Sequence, residues 1–152
     1  MTARLVHTLV LALSMALFTG CVGGVRVLRS DPTARVDPAP LAVAGLTLPA
    51  QAEHVDARGA LRSFEAALDD ALPGYTFVDA AEARYRLELV DLEVRRHDGD
   101  TEATFRLALS EPTGRVLDEV MITAVGHDPQ HAGLEAARHF GRYLSQRDVA
   151  LE

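Results

Sequence analysis

The chain has 152 residues, with 15 basic and 22 acidic side chains, a formal net charge of −7 and 48% hydrophobic residues. That apolar fraction excludes wholesale disorder. The acidic balance argues against nucleic acid and against electrostatic adhesion to anionic lipid, because both select basic surfaces.

The chain opens with basic Arg4, an apolar run from Leu5 to Phe18, and the small residues Thr19 and Gly20. These are the three parts of a secretory signal. The run is about 14 residues long and is interrupted by His7, Thr8 and Ser14, whereas roughly 20 apolar residues are needed to span a bilayer. Cys21 follows directly and is the only cysteine, so no intramolecular disulfide can form.

The segment Leu17, Phe18, Thr19, Gly20, Cys21 resembles the lipobox of bacterial lipoproteins, with Phe18 standing where that family most often carries Leu. The resemblance implies signal-peptidase recognition of Leu17 to Gly20, removal of residues 1–20, a diacylglyceryl group on the Cys21 sulfur and acylation, as with palmitate, of the new N-terminus. One acyl chain holds a protein reversibly and two or more hold it stably, so the implied anchor is permanent. In this family an Asp after the cysteine tends to retain the protein in the inner membrane; Val22 stands there instead. An outer-membrane location facing the periplasm is the expectation.

Residues 21–40 contain Gly23-Gly24, Asp31-Pro32, Asp37-Pro38 and Pro40, a composition that reads as a tether. Fully extended it would reach roughly 60 Å at about 3.3 Å per residue, holding the domain clear of the bilayer. Within it the alternation Val25 to Arg29 allows a short edge strand. The single periplasmic domain is then 41–152, of a length that suits one core and not two.

Leu41 to Leu48 is an apolar run of strand length stopped by Pro49. Asp56 is positioned to cap a helix running to about Leu72, where Pro73-Gly74 ends it, and Leu61, Phe64, Leu68 and Leu72 fall on one stripe. Tyr75 to Val78 is short and β-prone. In Tyr85 to Arg96 the apolar face switches between Leu89 and Val90, which predicts a bulge or a strand buried on both sides.

His97-Asp98-Gly99-Asp100 is a hairpin signal, and Ala103, Phe105, Leu107 and Leu109 alternate with more polar neighbours. Glu111 to Gly114 makes the next turn, and Arg115 to Val125 returns as a third meander strand. The last element is a helix with Asp128 as cap, Pro129 in the first turn, and Leu134, Ala137, Phe140, Gly141 and Leu144 on its apolar side. Gly133, Ala137 and Gly141 leave a shallow strip on it, expected to pack closely on the sheet.

This order predicts an α+β domain: a mostly antiparallel sheet of four or five strands with two helices packed on one face. In element order it is similar to several small periplasmic lipoprotein domains of envelope assembly, among them the lipopolysaccharide-assembly lipoprotein and the N-terminal domain of the Tol system's translocation protein. No motif is shared, and fold analogy alone does not give function.

Candidate chemistry is sparse. His131, Glu135 and His139 recur every four residues on the final helix and form a ladder that two turns could offer to a metal, with no further ligand in sequence to complete a site. A solvated face with i,i+4 pairing accounts for the same spacing. His127 precedes the cap and leaves the helical register. Asp98, Asp100 and Glu102 lack calcium-loop spacing, and none of Ser30, Ser63, Ser110 and Ser145 lies in a nucleophile elbow.

The expectation is therefore a non-catalytic lipoprotein without a cofactor. It would be held to the membrane through Cys21 and would act as an accessory to another envelope protein by strand addition at the Val25 or Arg115 segments. A lipid or apolar ligand held between helices and sheet is the alternative, and a metal-assisted hydrolase using His131, Glu135 and His139 comes last.

Overall fold

The computed structural model describes residues 24–34, 40–43, 48–49 and 54–147. It is an α+β domain. Its strands are β1 (Gly24–Ser30), β2 (Pro40–Val43), β3 (Thr76–Phe77), β4 (Tyr85–His97), β5 (Asp100–Ser110) and β6 (Val116–Gly126); its helices are α1 (Val55–Ala71) and α2 (Pro129–Arg147). The strands form one sheet in the order β1-β6-β5-β4-β2-β3. The four long strands pair antiparallel, whereas β2 runs parallel to both β4 and β3.

The meander follows from local chemistry. Asp98 (φ 47) and Gly99 (φ 98) both take positive φ, the two-residue turn geometry whose twist matches that of the flanking strands. Gly114 (φ 86) closes the β5–β6 turn. The face switch in β4 is a bulge: pairing with β5 slips between Leu89 and Asp91, leaving Val90 over. That slip returns Leu92 to the buried face shared by Tyr85 and Leu87.

Two of the expected boundaries are corrected. Residues 24–30 belong to the sheet, as edge strand β1 paired with β6 from Gly24 opposite Thr123 to Ser30 opposite Asp118. The sheet therefore includes the edge strand that the Val25 to Arg29 alternation allowed, upstream of residue 41 where the domain was expected to begin. The cap of α1 is His54, which makes no side-chain capping bond. Asp56 lies inside the first turn and is gripped by Arg96 of β4 through two N–H bonds of 2.9 and 2.8 Å. Of the expected strand Leu41 to Leu48, residues 44–47 lie outside the described residues.

Both helices cover one face of the sheet, α1 against β4 and α2 against β5 and β6. Phe64 of α1, Phe105 of β5 and Phe140 of α2 are fully buried between the layers; the Phe64 and Phe105 rings stack at 4.8 Å. The other face is polar, with Arg106 paired to Glu119 and the Thr104 and Thr123 hydroxyls 3.3 Å apart.

The glycine strip of α2 packs on α1, not on the sheet as expected. A Cβ on Gly133 would overlap the Ala60 carbonyl, and one on Gly141 the Ala71 carbonyl. Both contacts advance along the two helices together, so the helices run in the same direction. Small residues here let two backbones share one sheet face, which bulkier residues would not fit.

Gly133→Ala is expected to destabilise the domain by about 1–3 kcal/mol through overpacking. Gly24→Ala, where an added Cβ meets nothing within 4 Å, is expected to change little. Denaturant midpoints of the two variants, compared with the parent, check the contrast.

Candidate functional site

Leu17, Phe18, Thr19, Gly20 and Cys21, the segment that resembles a lipobox, lie outside the described residues. The ladder on α2 lies inside them and is committed to its own helix. Glu135 accepts from Arg138 at 2.5 Å, and the His139 ring Nδ1 lies 2.7 Å from the Arg142 guanidinium. Burial and the neighbouring Arg142 charge hold His139 below its ordinary pKa, against the opposing pull of Glu135. Among the described residues, no three or more His, Cys, Asp or Glu side chains are arranged to hold a metal ion.

His131 faces His127 instead, with ring centroids 4.6 Å apart. Sequence register set His127 apart from the ladder; the structure brings it back, because the chain folds over at Gly126 where β6 meets α2. Asp128 holds this corner. One carboxylate oxygen caps the helix by accepting the His131 N–H at 2.7 Å, and the other lies 3.1 Å from His127 Nε2. The corner opens onto a groove of about 450 Å³ between the helices, bordered by Ser63 and Asp70 of α1.

A second polar cluster sits at the opposite end of the sheet and is buried. Asp118 of β6 is 1% exposed and the Arg147 side chain 7%, with Arg147 Nε 2.6 Å from Asp118 Oδ2. The N–H at that nitrogen is not aligned on the carboxylate. The contact is therefore one of charge, while the other guanidinium nitrogens donate to the Ala34 carbonyl at 2.8 Å and the Asp31 carbonyl at 3.2 Å. The Ser30 hydroxyl donates to the remaining Asp118 oxygen at 2.7 Å.

Asp31 carries the clasp to the surface, accepting from Thr33 through its backbone N–H and hydroxyl and pairing with Arg115. Those hydrogen bonds, Thr33 foremost and then Arg115, hold the Asp31 carboxyl well below the usual carboxylate range. Tyr143 beside the buried pair is pushed up to about 12 by burial and then by the Asp118 charge, with Arg147 opposing.

The remaining candidate is the sheet edge. β1 is terminal in the strand order, so one row of its backbone groups has no partner strand among the described residues. Val27 and Leu28 on it are 47% and 41% exposed. Pairing slips between Val27 and Arg29, leaving Leu28 as a bulge residue. The Arg115 segment, expected as a second edge, lies inside the sheet between β1 and β5.

No family model matches the chain, and no curated protein matches it. Among solved structures it is similar to the PelC dodecamer from Paraburkholderia phytofirmans. The identity is 18% over 83% of this chain and 97% of that chain, with a TM-score of 0.52. A substituted PelC dodecamer from the same organism covers the same shares at 18% identity with a TM-score of 0.47. The likeness is one of fold.

Arg147→Ala leaves Asp118 buried and unpaired and is expected to cost about 3–5 kcal/mol, read from denaturant unfolding. Tyr143 gives a separate alkaline signature. Its folded-state pKa lies above the unfolded value, so its contribution is intact below pH 10.0 and is lost as pH rises toward about 12. Unfolding midpoints measured across that window should fall in the parent and fall less in Tyr143→Phe.

Proposed function

We propose that the chain is a non-catalytic envelope lipoprotein, anchored through Cys21 in the outer membrane on its periplasmic side, whose domain recruits another envelope protein along edge strand β1. The observation that carries the recruiting step is the seven-residue edge strand, whose outer side has no partner strand among the described residues, with Val27 and Leu28 exposed on it. An open edge offers main-chain hydrogen bonds for affinity and side-chain pockets for specificity.

Support for the anchor is the run Leu17 to Cys21 alone. No described helix is long and apolar enough to cross a membrane. The apolar-ligand alternative calls for space between helices and sheet, and among the described residues that layer is filled by Phe64, Phe105, Phe140, Leu107 and Ile122. A protein partner is therefore the better reading. Because the similar solved structure is a dodecamer, a second copy of the chain is the competing partner.

Cys21→Ala is expected to leave an unprocessed or mislocalised protein with an intact fold, read by membrane fractionation and by the mass of the purified product. Val27→Lys combined with Leu28→Lys is expected to abolish recovery of the partner in crosslinked membranes without altering fractionation. Identification of the crosslinked species separates a different protein from a second copy. Undiminished recovery from the double variant would remove β1 from the function.

A further inference from the structure

The entry of β1 into the sheet limits how an anchored domain can sit on a bilayer. Cys21 precedes Gly24 by three residues, a span of about 10 Å at most even when fully extended. Gly24 pairs with Thr123, three positions before Gly126, where β6 ends. Three strand residues also cover about 10 Å. A glyceride on Cys21 would thus be confined to within that distance of Gly24, itself near the Gly126 end of the sheet.

From Thr123 back to Val116 is a further seven residues, roughly 23 Å, so the Glu111 to Gly114 turn and the Asp31 clasp are out of the anchor's reach. The 60 Å of slack that the tether composition implied is absent on the N-terminal side of the domain.

Resting on the lipoprotein reading above, we infer that the domain stands end-on, with the β4–β5 hairpin and the first turns of α1 and α2 turned to the membrane surface and the Glu111 to Gly114 turn pointing away. The chain gathers three surfaces at that end. The hairpin carries His97, Asp98 and Asp100; α1 begins at Val55, 76% exposed; α2 begins beside His127 and Asp128. Asp100, Arg96, His127 and Asp128 border one cavity of about 300 Å³, and Arg96 ties the hairpin arm to Asp56. The end is therefore a single joined surface.

Its chemistry separates this contact from adsorption. Asp98, Asp100 and Asp128 offset the cationic side chains there, and Arg96 is engaged by Asp56, so the end is no basic patch and the covalent anchor would press it to the bilayer. Lying on the β1 edge is the other arrangement the short link permits. That would remove the unpaired backbone of β1 from water and close the edge to a partner.

The lone cysteine makes the test clean, since lipidation consumes it and any introduced cysteine is then the only free thiol. His97→Cys, Leu28→Cys and Thr113→Cys, all at exposed positions, are each labelled with a fluorophore in the full-length processed protein. Each is reconstituted in phosphatidylcholine vesicles with or without nitroxide-bearing headgroups, and the mass of the bound protein is recorded. End-on standing is expected to quench the His97 label severalfold and to leave Thr113 unchanged, with Leu28 weaker than His97. With the diacylglyceryl mass present, quenching greatest at Leu28 or Thr113, or absent from all three, overturns the orientation and leaves the anchor standing. A product lacking that mass overturns the anchor reading, and the orientation with it.

Discussion

The pairing of β1 with β6 is the constraint on which the rest of this structure depends. It completes the sheet over α2, and it sets where the N-terminal segment leaves the domain. At its far end Ser30 reaches Asp118, the Asp31 and Ala34 carbonyls accept from Arg147, and Asp31 pairs with Arg115. One strand thus ties the N-terminal segment to the last turn of the last helix, across most of the described sequence. A buried ion pair of this kind is weak evidence for stability, because desolvation opposes its attraction. Its better-supported role here is register. Only one alignment of β1 brings Ser30 opposite Asp118, and a slip of one residue would also turn Val25 out of the core.

The helix layer is organised by contact distance. Two helices crossing one sheet face must sit side by side, and Gly133 and Gly141 bring the α2 backbone against Ala60 and Ala71 of α1. The closeness lets three phenylalanines from three elements meet in one layer, with the Phe64 ring 4.8 Å from Phe105 and 6.4 Å from Phe140. The cost is sensitivity: positions that look interchangeable with alanine in sequence are the least tolerant of an added methyl.

Much of this was legible in the residues. Alternation and turn chemistry located the three long meander strands to within a few residues, and the change of face at Leu89 and Val90 marked the bulge. The Asp128 cap and the buried side of α2 were likewise local signals. Three features were read only in part or not at all, for physical reasons. Glycines and prolines flanking β1 overstated its irregularity, and the open side of an edge strand carries no second apolar signal. The small-residue strip declared a close approach without naming what approaches. The Asp118–Arg147 pair spans two elements with no sequence rule joining them, although one sign was present: Asp118 falls in phase with Val120, Ile122 and Ala124, all buried, where a carboxylate needs a partner.

An edge strand is a liability as well as an opportunity, and β1 carries marks of both. Arg26 and Arg29 flank its exposed apolar pair, and the bulge at Leu28 bends the open row of hydrogen-bonding groups out of the flat geometry that indiscriminate pairing needs. On the proposed reading such an edge would reject a generic strand and accept one shaped to the bend, so specificity and protection would come from the same irregularity. The proposed membrane anchor, three residues upstream of Gly24, would add to this. It would restrict any partner to approaches compatible with the bilayer plane and raise the effective concentration of partners held in the same plane. With that anchor, weak strand addition would suffice for a stable complex at an edge that offers two exposed apolar side chains and not a large apolar patch.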